Sequence, residues 1–183
     1  MSWNTFKSTL LPAMQSNVYG NNIAGFSKLF TTSYDITIKT GFDSLNKVPL
    51  TKGNTILMES TLTSLLLQTQ LSTTLTFLDV VGPAIIGYWV GAELSHFPPP
   101  MIPAIGTIQN ISTLSAIVLS PGVWTPLPVV PNNNSSMFLD AFISSAKIHL
   151  TTVSGIFSVI GQYPPPAPPA PAILPWSGYF IPD

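Results

Sequence analysis

Side chains able to do chemistry are few in this chain and stand apart from one another. His96 and His149 are its two histidines, and its seven carboxylates fall singly along the sequence. Only Glu93 lies at helical spacing from a histidine, three residues before His96. At a helix end that pair supplies two metal ligands, whereas a metal site takes at least three, so a helix-terminal histidine meeting a nearby acid is the better account. Ser95 beside His96 is the one hint of a nucleophile with its base. Neither a Gly-x-Ser-x-Gly elbow nor a glycine-rich phosphate loop accompanies it. No two carboxylates are close enough in sequence to suggest a general acid and base. Cysteine is absent, which removes disulfides, thiolate catalysis and zinc–thiolate sites together. The expectation is a protein that is not an enzyme and uses no cofactor and no metal.

Binding chemistry is better represented. All six basic residues are lysines, none is arginine, and the net charge is -1. Nucleic-acid binders build a basic patch and read bases with arginine forks, so no nucleic acid is expected as a partner. The candidate partner-binding residues are instead aromatic and proline: Phe97 with Pro98, Pro99 and Pro100; Trp124; Tyr163 with Pro164, Pro165 and Pro166; and Trp176, Tyr179 and Phe180 near the end. Proline runs adopt extended polyproline II, whose low free-state entropy reduces the cost of docking. Ligands of aromatic-lined grooves carry flanking arginine or lysine, and these runs have none. They fit arms laid along neighbouring subunits.

These residues hang on elements that periodicity predicts. Trp3, Phe6, Leu10 and Met14 mark a short amphipathic helix, interrupted early by Pro12. Ile23, Phe26, Phe30, Tyr34 and Ile38 mark a second, stopped at Gly41. Asn54 suits the N-cap of a third, through Ile56, Leu57, Leu62, Leu65, Leu66 and Leu71. Thr76 with Asp79 resembles a capping box for a fourth, through Leu78, Val81, Ile85, Tyr88 and Trp89, which Pro83 should kink. The third and fourth are expected at the centre of the core, with Gly82, Gly87 and Gly91 allowing close approach of another backbone. Leu139, Phe142, Ile143, Ala146, Leu150, Val153, Phe157 and Ile160 form one apolar stripe, predicting a last helix that Gly161 ends.

Composition divides the chain in two. Residues 1 to 93 hold ten of the thirteen charged side chains and three of the nineteen prolines; only Asp140, Lys147 and Asp183 are charged beyond them. Charged residues are 7% of the whole, against about 25% in ordinary soluble domains. The predicted fold is mainly α, a small bundle of about five helices with extended proline-rich segments. Its divisions are a helical body over 1–97, an extended segment over 98–134, a long amphipathic helix over 135–161 and a C-terminal arm over 162–183. That arm is expected to be dispensable for helix content. Phe97 with Pro98–Pro100 and Tyr163 with Pro164–Pro166 each follow a helix, a loose repeat of helix plus extended arm. Val80 to Ala92 is too short and too glycine- and proline-broken for a membrane span, which needs roughly twenty apolar residues. The N-terminus lacks the pattern of a signal peptide.

A nearly uncharged apolar surface needs something to cover it. By general style, and by the run Tyr88-Trp89-Val90-Gly91-Ala92 through Phe97-Pro98-Pro99-Pro100-Met101-Ile102-Pro103-Ala104-Ile105-Gly106, the chain resembles small virion structural proteins of contractile-tailed marine bacteriophages. The resemblance covers at most residues 20 to 125. It implies a non-enzymatic component of head, neck, tail or baseplate, in symmetric multi-copy contact with other structural subunits and located in the virion. Without it the expected location is cytoplasmic. The alternative is a membrane-associated or hydrophobic-ligand-binding helical protein.

Overall fold

The computed structural model describes residues 2–16, 22–43, 49–69, 77–96, 104–110, 134–159 and 173–182. Five helices lie among them: α1 (Trp3–Gln15), α2 (Ile23–Ile38), α3 (Thr55–Thr69), α4 (Phe77–Trp89) and α5 (Asn134–Thr152). The fold is mainly α, as the periodicity predicts. The strands are β1 (Phe42–Asp43), β2 (Leu50–Lys52), β3 (Glu93–His96), β4 (Ala104–Asn110), β5 (Ser154–Val159), β6 (Ile173–Ser177) and β7 (Tyr179–Phe180). They form an antiparallel sheet in the order β2-β3-β4-β5-β6 and a two-stranded ribbon of β1 with β7.

Helices α1, α2 and α3 begin where a short polar side chain, Ser2, Asn22 or Asn54, takes an orphan amide. Asn22 Oδ1 accepts from the Gly25 amide at 2.8 Å, and Asn54 Oδ1 from the Leu57 amide at 3.1 Å. Asn54 Nδ2 also donates to the Val90 carbonyl at 3.2 Å, fastening the start of α3 to the end of α4. The helices bury the faces their spacing assigns: Trp3, Phe6, Leu10 and Met14 from α1; Phe26, Phe30, Tyr34 and Ile38 from α2; Leu139, Phe142, Ala146 and Leu150 from α5. At the centre Phe142 stacks on Phe6 at 5.5 Å and meets Phe30 edge-on at 5.4 Å, so the middle of the core lies among α1, α2 and α5 as well as α3 and α4. Of the glycines expected to admit another backbone, Gly87 does: a Cβ there would lie 3.2 Å from Leu57 of α3. Gly82 faces nothing within 4 Å, and Gly91 makes a left-handed turn at φ 70°.

Four expectations are corrected. Pro12 does not interrupt α1, which runs on to Gln15 with the Ser16 amide bonded to the Pro12 carbonyl at 3.0 Å. Proline removes one amide donor and crowds the carbonyl four residues before it, a cost that weakens the helix here without ending it. The helix over 135–161 stops at Thr152, and Ser154–Val159 is strand β5, paired on both sides. Gly155 costs a helix about 1 kcal/mol relative to alanine, and the β-branched residues Val153, Ile156 and Val159 favour strand. The apolar stripe thus continues past the end of the helix it described. Glu93 and His96 lie on β3 rather than at a helix end. Finally, the C-terminal arm is not separate from the body over 1–97. β6 pairs with β5 from Ser154↔Ser177 to Ser158↔Ile173, and β7 pairs with β1. Pro175 is tolerated because β6 is the outer strand of its sheet.

Candidate interaction surface

A polar seam through the apolar core fixes which residues are inside and which are left for others. Tyr34 and Tyr88 meet edge-on at 5.0 Å, and the Trp89 Nε1–H donates to the Tyr34 hydroxyl at 3.3 Å. The Tyr88 hydroxyl donates to Asp35 Oδ1 at 2.8 Å, and the other oxygen of Asp35 pairs with Lys39 at 2.8 Å. Tyr179 enters from the far end of the chain. Its hydroxyl donates to the Ile38 carbonyl at 2.8 Å and accepts from the Leu50 amide at 2.9 Å, while its ring packs edge-on against Trp89 at 5.6 Å. Gly178, at φ 80°, makes the turn that brings Tyr179 there, and its amide bonds the Val153 carbonyl at 2.8 Å.

Burial raises all three phenols well above their ordinary range, and for Tyr88 the Asp35 carboxylate beside it adds to the rise. The folded state therefore keeps protons that the unfolded chain releases above pH about 10. This stabilisation is complete below the unfolded value and is lost as pH rises past it, at about 1.4 kcal/mol per pH unit for each phenol. We expect phenolate absorbance from Tyr34, Tyr88 and Tyr179 to appear only together with loss of helical circular dichroism. Ordinary titration of all five tyrosines in a still-folded chain would refute the seam.

The expected partner-binding residues fall on different sides of this boundary. Tyr179 is 1% exposed and bonded within its own chain, so it is removed from the partner-binding set. Its neighbour Phe180 is 46% exposed and stays in it. Trp176 lies on β6, opposite Gly155. Phe97, Pro98, Pro99, Pro100, Trp124, Tyr163, Pro164, Pro165 and Pro166 lie outside the described residues.

Sequence reasoning missed the exposed side of α3. Met58, Leu62 and Leu66 are buried there, but Ile56 is 82% and Leu67 50% exposed, with Leu57 exposed beside them. The signal was present: apolar residues occupy more of the helix circumference than one buried stripe requires. Ile56 and Leu67 line a groove of about 620 Å³ with Glu59, Ser60, Thr63 and Ser64, and Ala24 of α2 closes its rim. The groove offers hydroxyls, one carboxylate and two apolar ends, a set suited to contact.

His149 is buried in α5. Among the described residues no three of His, Asp and Glu come together as a metal site, and no helix is long and apolar enough to cross a membrane. No family model, curated protein or solved structure matches the chain.

Proposed function

We propose that this chain is a non-enzymatic structural subunit of a large multi-copy assembly, most consistent with a bacteriophage virion component of the head, neck, tail or baseplate. The observation that carries the reading is the exposed apolar side of α3 on a chain only 7% charged. Burial of apolar surface is the main driving force of association, and a surface near zero net charge opposes it little. Phe180, Val90, Met137 and Ile148 add further exposed apolar side chains. The aromatic and proline residues Phe97 to Pro100, Trp124 and Tyr163 to Pro166 are proposed as further contacts, because proline-rich sequence loses little entropy on docking. The choice of a phage particle rests on the resemblance along Tyr88 to Gly106. The chain would then sit in the virion itself.

Mass spectrometry of particles purified from the source tests this directly. Recovery of the chain in fixed ratio to other structural subunits is the expected result, and its absence from particles overturns the reading. Liposome flotation of the purified chain checks the membrane or apolar-ligand alternative. Floating with lipid while staying monomeric without it would favour that alternative.

A further inference from the structure

The five-stranded sheet has two outer strands, β2 and β6, and no described strand pairs with their outer sides. Such an edge is a template for another chain, and a protein of near-zero net charge has little repulsion to keep its copies apart. β2 is guarded in three ways. It is three residues long, its Leu50 amide is held by the Tyr179 hydroxyl at 2.9 Å, and Lys52 stands on it with a side chain 66% exposed. β6 shares none of these guards: it is five residues long, and no Asp, Glu, Lys or Arg lies between Lys147 and Asp183. Its one unusual residue is Pro175. We infer that Pro175 closes the free edge of β6, so that no further strand, from another copy of this chain or from another protein, adds to the sheet there. The inference rests on the sheet alone and goes beyond the subunit reading.

The register shows which way each backbone group of β6 points. The Gly178 amide bonds the Val153 carbonyl at 2.8 Å, and pairing then runs Ser177↔Ser154, Trp176↔Gly155, Pro175↔Ile156, Leu174↔Phe157 and Ile173↔Ser158. In an antiparallel pair, successive residues turn their N–H and C=O alternately toward the partner strand and away from it. Counting from Gly178, Trp176 and Leu174 turn theirs toward β5, and Ser177, Pro175 and Ile173 turn theirs outward. Proline at an inward position would forfeit a bond of the sheet; at 175 it forfeits none. The outward row keeps two amides, those of Ile173 and Ser177, four residues and roughly 13 Å apart at the rise of a strand. Between them a ring carbon of Pro175 stands in place of the hydrogen, and the Pro175 carbonyl is left with no donor beside it. A second β6 laid antiparallel about a two-fold axis at residue 175 would set Pro175 against Pro175 and lose both bonds of its central pair. The flanking Ile173, Leu174 and Trp176 are apolar and uncharged, a composition that pairs readily where no proline interrupts it.

Sedimentation velocity of the full chain tests this with two forms that differ by one methyl group. Pro175→Thr restores an outward amide on a residue that favours strand. The second form carries the same threonine with its amide nitrogen methylated, introduced on a synthetic C-terminal segment joined at Ala172. Neither change removes a hydrogen bond of the native sheet, so circular dichroism of both should match that of the native chain. Pro175→Thr should self-associate on the order of tenfold more strongly than the native chain, from the two bonds regained across each pair. Its restored amide should exchange with solvent deuterium quickly at low concentration and slowly in the associated form. The methylated form should behave as the native chain does. Pro175→Thr associating no more than the native chain, an amide still unprotected in the associated form, or a methylated form that associates equally overturns the inference. Loss of helical circular dichroism in either form would overturn it too, because Pro175 would then hold the fold rather than guard its edge. Presence or absence of the chain in purified particles decides the subunit reading and does not touch this one.

Discussion

Cutting the chain after Ala172 is expected to unfold the helical body rather than trim a loose arm. The cut removes β6, leaving β5 unpaired along one side, and removes Tyr179 from beside Trp89. Truncating a large buried aromatic side chain costs about 3–5 kcal/mol. Losing this one also strands the Leu50 amide and Ile38 carbonyl that its hydroxyl joins, at about 1–3 kcal/mol for each group left buried and unpaired. Total stability is about 5–15 kcal/mol, so these losses consume most of it. Tyr179→Phe and Tyr179→Ala grade the effect. The first removes only the hydroxyl bonds and should lower the urea midpoint clearly; the second also leaves a cavity and should lower it further. A truncated chain with native helix content and an unchanged midpoint would restore the idea of a dispensable arm.

That reversal shows what local sequence patterns could and could not carry. The buried faces of α1, α2 and α5 were legible because Trp3, Phe6, Leu10, Phe26, Phe30, Tyr34, Leu139 and Phe142 recur at a period set by the helix itself. The five-stranded sheet was not, because a strand is made by its pairing with other segments and not by its own period. β4 is held by β3 on one side and β5 on the other, and nothing near Ala104–Asn110 announces Glu93 or Ser154. Proline near Ile173–Ser177 correctly implied an extended chain, but extension is shared by a free arm and an edge strand. The pairing of β6 with β5 and of β7 with β1, and the bond from Tyr179 to Ile38 across most of the sequence, separate the two. For the interaction surface, Phe180 was legible as an exposed aromatic residue. Ile56 was read with the buried stripe of α3, and Leu67 was not singled out, because the excess of apolar residues on that helix was assigned to one buried face.

The second large effect is expected at Phe142, and it bears on whether the charge-poor half of the chain folds by itself. Phe142 belongs to that half by sequence, yet it is fully buried against Trp3 and Phe6 of α1 and Phe30 and Tyr34 of α2, with ring centroids 5.4 to 6.5 Å away. Phe142→Ala should cost about 3–5 kcal/mol for the cavity and lost burial. It should fall toward the upper end, because each well-oriented ring pair adds about 0.5–1.5 kcal/mol beyond area alone. Phe142→Leu keeps most of the volume and should cost about 1.5 kcal/mol. In a urea titration followed by both circular dichroism and tryptophan fluorescence, each variant should lower the midpoint with a single shared transition. The Lys7–Asp140 ion pair at 2.6 Å also joins α1 to α5, but it is partly exposed and adds little, so the aromatic contacts must carry the coupling. If Phe142→Ala unfolds in two steps, with α5 lost before α1 and α2, the halves are separable and the charge-poor half must find its core in a neighbour. One transition means that its core is already α1 and α2, and that neighbours are needed only for the surface that remains outside.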